Sequence, residues 1–369
     1  MLLKRVLMLY IGWIILFLVA IYVPALSYQV VSRYMDTSNY ENRESAVRPK
    51  LTIENYSDFP EEFEEYYDDH LPFRNQWITL NNSIDYYIFS QSSSDDVLIG
   101  KDGWLFYTSE KDGNPVKQST GEWMFTEKQL KKIAKNLKKT KKTLEDQGIR
   151  FVLFIAPNKE TIYKDELPSF YQNENTKSCV DQLVEYLKEN TDIEVVYPKE
   201  ELLEARKEHE DMEWYHKLDT HWNSAGAYIG AENLAKALNI EMPVFEELAL
   251  EKQTWDTGDL AQMLNITIKN GDTNYTLSNI SDRETECEKW DFYTEFIYHT
   301  AGADPRKLFV CRDSFSDALA PILATQFENS MFVHRKGFSQ EQIFDYDTDI
   351  FVYECVERYI KKLEKFCIE

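Results

Sequence analysis

Cysteine is scarce in this sequence: five residues, Cys179, Cys287, Cys311, Cys355 and Cys367, among 369. An odd count with no C-x-x-C pair argues against a dense disulfide framework and against a zinc site. One disulfide stays open, and the spacing does not choose its partners. Cys311 and Cys355 stand inside apolar runs and read as core residues. Positive charge is also short. Lysine and arginine number 41 against 64 acidic residues, a formal net charge of −23. Such a balance repels nucleic acid and anionic membrane surface alike, and nucleic acid is not expected as a partner. Long hydrophobic runs are missing too, with one exception near the start. What is present, 43% hydrophobic and 14% aromatic residues, suffices for one large core or two smaller ones.

The exception follows Lys4 and Arg5, where an almost unbroken apolar run goes from Val6 to Leu26. It is expected to be a transmembrane signal anchor over 6–27, with a cytoplasmic stub at 1–5. A cleaved signal peptide is the alternative, although no clear small-x-small site follows. On the anchor reading the chain is a single-pass cell-membrane protein whose remainder is extracytoplasmic: a helical spacer at 28–95, broken near Pro72, and a catalytic domain at 96–369.

Apolar periodicity organises the rest. Val97 to Tyr107, with Asp102-Gly103 between two apolar runs, predicts a hairpin. Thr126 and Gln129 form a capping box for a helix that stops at Gly148. Short continuous apolar runs at Phe151–Ala156, Ile193–Tyr197, Leu308–Cys311, Met331–His334 and Ile350–Tyr353 predict strands buried on both faces. Helix-like stretches separate them, around Val180 to Leu187, Glu200 to Lys207, Ala225 to Leu238, Ala318 to Phe327 and Val356 to Phe366. The expected fold is α/β, a three-layer α/β/α domain with a mainly parallel sheet of about five strands. The stretch at about 241–303 breaks this rhythm and reads as an insertion bordering the active site.

Three residue types that serine acyl transfer requires occur in two of these connections: Asp219 and His221 in Asp219-Thr-His-Trp222, and Ser314 after the strand-like run ending at Cys311. Ser314 would stand at the carboxyl end of a parallel strand and at a helix N-terminus, where backbone N–H groups suit a developing oxyanion. The local alternative is that Ser314 or Asp313 only caps the helix. Asp219 and His221, two apart, project to one side of extended backbone, so the carboxylate can orient the imidazole. Their alternative is a turn residue, a satisfied polar neighbour and, in Trp222, a core anchor. A metal set of His216, Asp219 and His221 matches no familiar ligand spacing, and no metal or cofactor is expected. His70, His209 and His334 read as structural or solvent residues. Asn158 and Lys159, after the first buried strand, either point into the site or end that strand in a loop.

Seven pieces carry a resemblance: Asp69-His-Leu-Pro-Phe-Arg74, Ile99-Gly-Lys-Asp-Gly-Trp-Leu-Phe-Tyr107, Pro157-Asn-Lys159, Asp219-Thr-His-Trp222, Gly258-Asp-Leu260, Arg312-Asp-Ser-Phe315 and Glu354-Cys-Val-Glu-Arg-Tyr359. In this order they resemble the SGNH-hydrolase-like proteins related to alginate O-acetylation, of the membrane-anchored type. The resemblance implies an O-acetyltransferase acting on a cell-surface or secreted polysaccharide. In it Ser314 is the nucleophile, His221 the base and Asp219 its partner, and a membrane-bound O-acyltransferase is the donor partner. An acetyl esterase with the same triad and a non-catalytic glycan-binding scaffold of an export complex are the alternatives. Trp222, Trp255 and Trp290 are the candidate sugar-binding residues. Arg312 departs from the pattern, standing where a Gly-Asp-Ser motif has glycine.

Overall fold

The computed structural model describes residues 2–34, 46–172, 177–256 and 258–369. The chain divides into two units, Met1–Phe89 and Ser90–Glu369. In the first, helices Leu2–Val31, Phe59–Asp69 and Arg74–Ile84 occur, with Phe73 in left-handed backbone (φ 62°) at the start of the last. The expected membrane span requires correction: among the described residues no helix is long and apolar enough to cross a membrane.

In the second unit, strands β1 (Val97–Ile99) and β2 (Leu105–Tyr107) pair antiparallel. Asp102 (φ 48°) and Gly103 (φ 79°) turn the chain between them, as the Asp-Gly pair predicts. The main sheet joins β3 (Arg150–Ala156), β4 (Glu194–Val196), β7 (Thr285–Trp290), β8 (Glu295–Thr300), β9 (Leu308–Arg312), β10 (Asn329–His334) and β11 (Ile350–Val356) in the order β4-β3-β11-β9-β10-β8-β7. Strands β5 (Ala249–Trp255) and β6 (Asp272–Ser278) form a separate antiparallel ribbon.

The sheet is mixed, which corrects the expectation of a mainly parallel one of about five strands. The five apolar runs do pair in parallel, but β8 pairs antiparallel with β10, and β7 with β8. All four unexpected strands lie within 241–303. Every residue of β5 and nearly every one of β7 is exposed, and β6 and β8 are only partly buried, so no continuous apolar run announces them.

Burial on both faces is visible residue by residue. Val152, Phe154 and Ala156 of β3 enter one core with Val310 and Val352, while Phe151, Leu153 and Ile155 enter another with Phe309 and Phe351. Helix Ser224–Ala237 packs on the first face, and helices Glu127–Glu145 and Cys179–Asn190 on the second. The expected last helix is a 3₁₀ segment, Glu357–Glu364. All five cysteines are free, and Cys311 and Cys355 are buried.

Candidate active site

Ser314 lies in the turn between β9 and the helix Ser316–Ala324, and buried hydrogen bonds fix that turn. Asp313 accepts from the Phe315 N–H at 3.0 Å and from the Val356 N–H at 2.9 Å. Its own N–H donates to Glu354 Oε2 at 2.8 Å, which also accepts the Ser316 hydroxyl at 3.0 Å. Glu354 is fully buried. Burial, and then the nearby Asp313 charge, hold its carboxyl well above the usual carboxylate range. Ser314's own N–H has no hydrogen-bond partner among the described residues.

The histidine arrives on a short loop. Tyr215 and Trp222 bridge across it, the His216 N–H donates to the His221 carbonyl at 3.1 Å, and Asn223 caps the helix Ser224–Ala237. Lys159, fully buried, donates to the carbonyls of His216, Lys217 and Asp219 at 3.1, 3.3 and 2.6 Å. It clamps the loop and leaves the cleft to others. Asn158 is also buried and lines no part of the cleft.

Three side chains then meet. His221 Nε2 is 2.7 Å from Ser314 Oγ, and His221 Nδ1 is 2.6 Å from Asp219 Oδ1. That oxygen also accepts the His221 N–H at 3.0 Å. Burial of Asp219 opposes its charge, but the hydrogen bond and charge of His221 outweigh it and hold the carboxyl well below its ordinary range. Burial likewise opposes the imidazolium, yet Asp219 and then Asp259 raise His221 above its ordinary value.

Sequence reasoning gave no role to Asp259 or Thr220. Asp259 donates its N–H to Asp219 Oδ2 at 2.8 Å. Its carboxylate accepts the Thr220 N–H at 2.7 Å and the Thr220 hydroxyl at 2.6 Å. Gly258 permits this approach, because a Cβ there would come 2.5 Å from the Leu218 carbonyl oxygen and 2.6 Å from Asp219 Cβ. The Gly258-Asp259 pair was therefore the available signal. Asp219, His221 and Asp259 are close enough to share an ion, but His221 Nδ1 and both Asp219 oxygens already serve the hydrogen bonds above. His216 instead faces Asp272 at 3.3 Å and stacks on Trp255.

Ser314, His221 and Asp219 border a cavity of about 710 Å³. Of the three tryptophans, Trp255 on β5 and Trp290 on β7 are partly exposed in its wall, at 49% and 42%. Trp222 is only 1% exposed. Its indole N–H donates to the Phe315 carbonyl at 2.9 Å, which ties the histidine segment to the serine turn. Arg312 is turned away from Ser314. Its guanidinium lies 3.8 Å from the Phe296 ring centroid and donates to Asp317 Oδ1 at 2.6 Å and the Phe292 carbonyl at 3.0 Å.

Comparison with known proteins follows this geometry. Residues 97–293 match the SGNH hydrolase-like domain of acetyltransferase AlgX, a span that includes Asp219, His221 and Asp259 and ends before Ser314. The probable alginate O-acetylase AlgJ of Pseudomonas aeruginosa is 26% identical over 181 residues, 49% of this chain and 41% of that protein. AlgJ of Pseudomonas fluorescens is 23% identical over 190 residues, 49% and 43% respectively. The chain thus spans less than half the length of these curated relatives. Two solved structures share the fold at a TM-score of 0.54: Bacillus cereus PatB1, 16% identical over 73% of this chain and 97% of that one, and a DHHW family protein from Eubacterium siraeum, 14% identical over 75% and 98%.

Proposed function

We propose, because this chain belongs to the family of the SGNH hydrolase-like acetyltransferase AlgX domain, that it transfers acetyl groups to hydroxyls of an extracytoplasmic polysaccharide through an acetyl-Ser314 intermediate. The observation that carries the reading is the unbroken chain of contacts from Asp219 through His221 to Ser314, opening on a cleft large enough for sugar rings.

In the first half-reaction Ser314 Oγ attacks the carbonyl of an acetyl ester or thioester, and its proton passes to His221 Nε2. The bond to the donor's leaving group breaks, and that group takes the proton from His221. In the second, a sugar hydroxyl gives its proton to His221 Nε2 and attacks the acetyl carbon. Ser314 Oγ leaves and takes the proton back. Asp219 holds the Nδ1–H tautomer and balances the imidazolium in both. The unpaired Ser314 N–H at the start of the helix Ser316–Ala324 is the first oxyanion donor. A membrane-bound O-acyltransferase supplies the acetyl group in this reading. Trp255 and Trp290 offer the rings on which sugars stack, and Trp222 supports the site from below.

The test is to mix the purified protein with an activated acetyl ester and neutral oligosaccharides. One acetyl group on Ser314 and acetylated oligosaccharide are expected by mass spectrometry, both lost in Ser314→Ala with the melting temperature kept. Release of free acetate alone would sink the transfer reading and leave an esterase.

A further inference from the structure

We propose that the acceptor sugar carries no carboxylate, and that Asp317 selects it by accepting a hydrogen bond from a hydroxyl or ammonium group of the ring that docks beside Ser314. This rests on the acyl-transfer reading above and deepens it.

Three observations point to it. First, the cavity wall holds two carboxylates, Asp219 and Asp317, with His216, His221 and Tyr275 as its other titratable groups, and among the described residues no lysine or arginine lines it. Asp219 is paired within the cleft by His221, and Asp317 only from behind, by the buried Arg312. Second, Asp317 is placed to read substrate. It lies one turn beyond Ser314, its N–H donating to the Ser314 carbonyl at 3.1 Å, so both side chains serve one end of the cleft. Its side chain is 30% exposed, whereas that of Arg312 beneath it is 1% exposed. The arginine holds Asp317 Oδ1 at 2.6 Å and is itself covered by Phe296 and bonded to the Phe292 carbonyl, so it presents no cationic face to a ligand. Third, the remaining polar wall accepts and donates without charge: Asn274 uses its Oδ1 for the Ser224 N–H at 2.9 Å, and its NH₂ has no partner among the described residues.

Burial raises the Asp317 carboxyl to about 6 against the pull of Arg312, so it is largely ionised at neutral pH. A uronate ring would bring its carboxylate within several ångströms of this charge, whose cationic partner Arg312 is buried and bonded to Asp317 and the Phe292 carbonyl rather than open to the ring. A neutral or amino sugar would instead satisfy the free carboxylate oxygen. The alginate of the relatives' names is a polyuronate.

The experiment loads Ser314 with acetyl from an activated ester and follows its discharge by intact-protein mass spectrometry. Acceptors are N-acetylglucosamine oligomers, glucosamine oligomers and oligogalacturonate. Discharge by the first two with acetylated product is expected, and by the uronate at least about tenfold more slowly. Asp317→Asn, which keeps an acceptor for Arg312, is expected to narrow that ratio to about twofold. Uronate discharging acetyl-Ser314 as fast as the others in the unaltered protein would overturn the inference alone. Failure of acetyl to appear on Ser314 would overturn the acyl-transfer reading and this inference with it.

Discussion

The strands that hold the serine turn and the strands that carry the two cleft tryptophans follow opposite rules. Every residue of β11 and of β9 is buried, and the serine turn is suspended between their ends by Asp313 and Glu354. In contrast, β7 is almost wholly exposed, as is every residue of β5, yet these strands bring Trp290 and Trp255 to the cleft. The reacting groups sit on a frame whose side chains have little freedom to change, while the walls sit on strands whose outer faces are unconstrained by packing. Chemistry and recognition are thereby carried by different strands, and substitutions on the two sides should differ in kind.

The largest effect expected is on the buried side. Ser314→Ala should lower kcat/KM for acetyl transfer by about a thousandfold or more, with circular dichroism unchanged. A residual rate near wild type would erase the distinction by showing that the cleft walls suffice. Asp219→Asn should cost about a hundredfold or more and also move the pH profile. His221 must be neutral to accept a proton, and its value is raised, so kcat/KM should fall as pH drops through a midpoint above ~6.5. Without the Asp219 charge the imidazolium is less stable and the midpoint should move to lower pH. An unmoved midpoint would show that Asp219 does not act on the ring.

Glu354 tests the frame itself. Glu354→Ala strips the Asp313 N–H and the Ser316 hydroxyl of their acceptor and leaves a void, for a loss of about 3 kcal/mol in denaturant unfolding. Glu354→Gln keeps an uncharged acceptor and should cost under ~1 kcal/mol. Equal losses would mean that an ionised carboxylate is needed there. The smallest effect belongs to the exposed side: Trp255→Ala should raise KM for an oligosaccharide acceptor several-fold, leaving kcat with a small acetyl ester and the melting temperature unchanged. A fall in melting temperature of several degrees would make this strand part of the frame.

The same contrast decides what could be read from the sequence. β3, β9 and β11 are legible because burial on both faces demands unbroken apolar runs, and Thr126 and Gln129 announce a helix through local bonds alone. β5 and β7 are not, since segments such as Thr285–Trp290 alternate charged and polar residues that look like loop. Asp219, His221 and Ser314 could be singled out by residue type and position, whereas their contact could not. Asp259 escaped because its role depends on a close approach that only the glycine before it hints at. Glu354 escaped because a buried carboxyl that holds a turn has the same letter as a solvated glutamate. Arg312 could be seen as a departure, but its partner Asp317 and the Phe296 ring that covers it are set by the tertiary fold.

The bond from the Trp222 indole to the Phe315 carbonyl has a consequence for how the protein would fail. It fastens the neighbours of His221 and Ser314 to one another across 93 positions of sequence, with Gly230 leaving room for the ring, since a Cβ there would lie 2.9 Å from it. Any loosening of either segment separates base from nucleophile at once. On gentle heating, turnover should therefore decline before the far-ultraviolet signal of the sheet does, and indole fluorescence should follow the turnover.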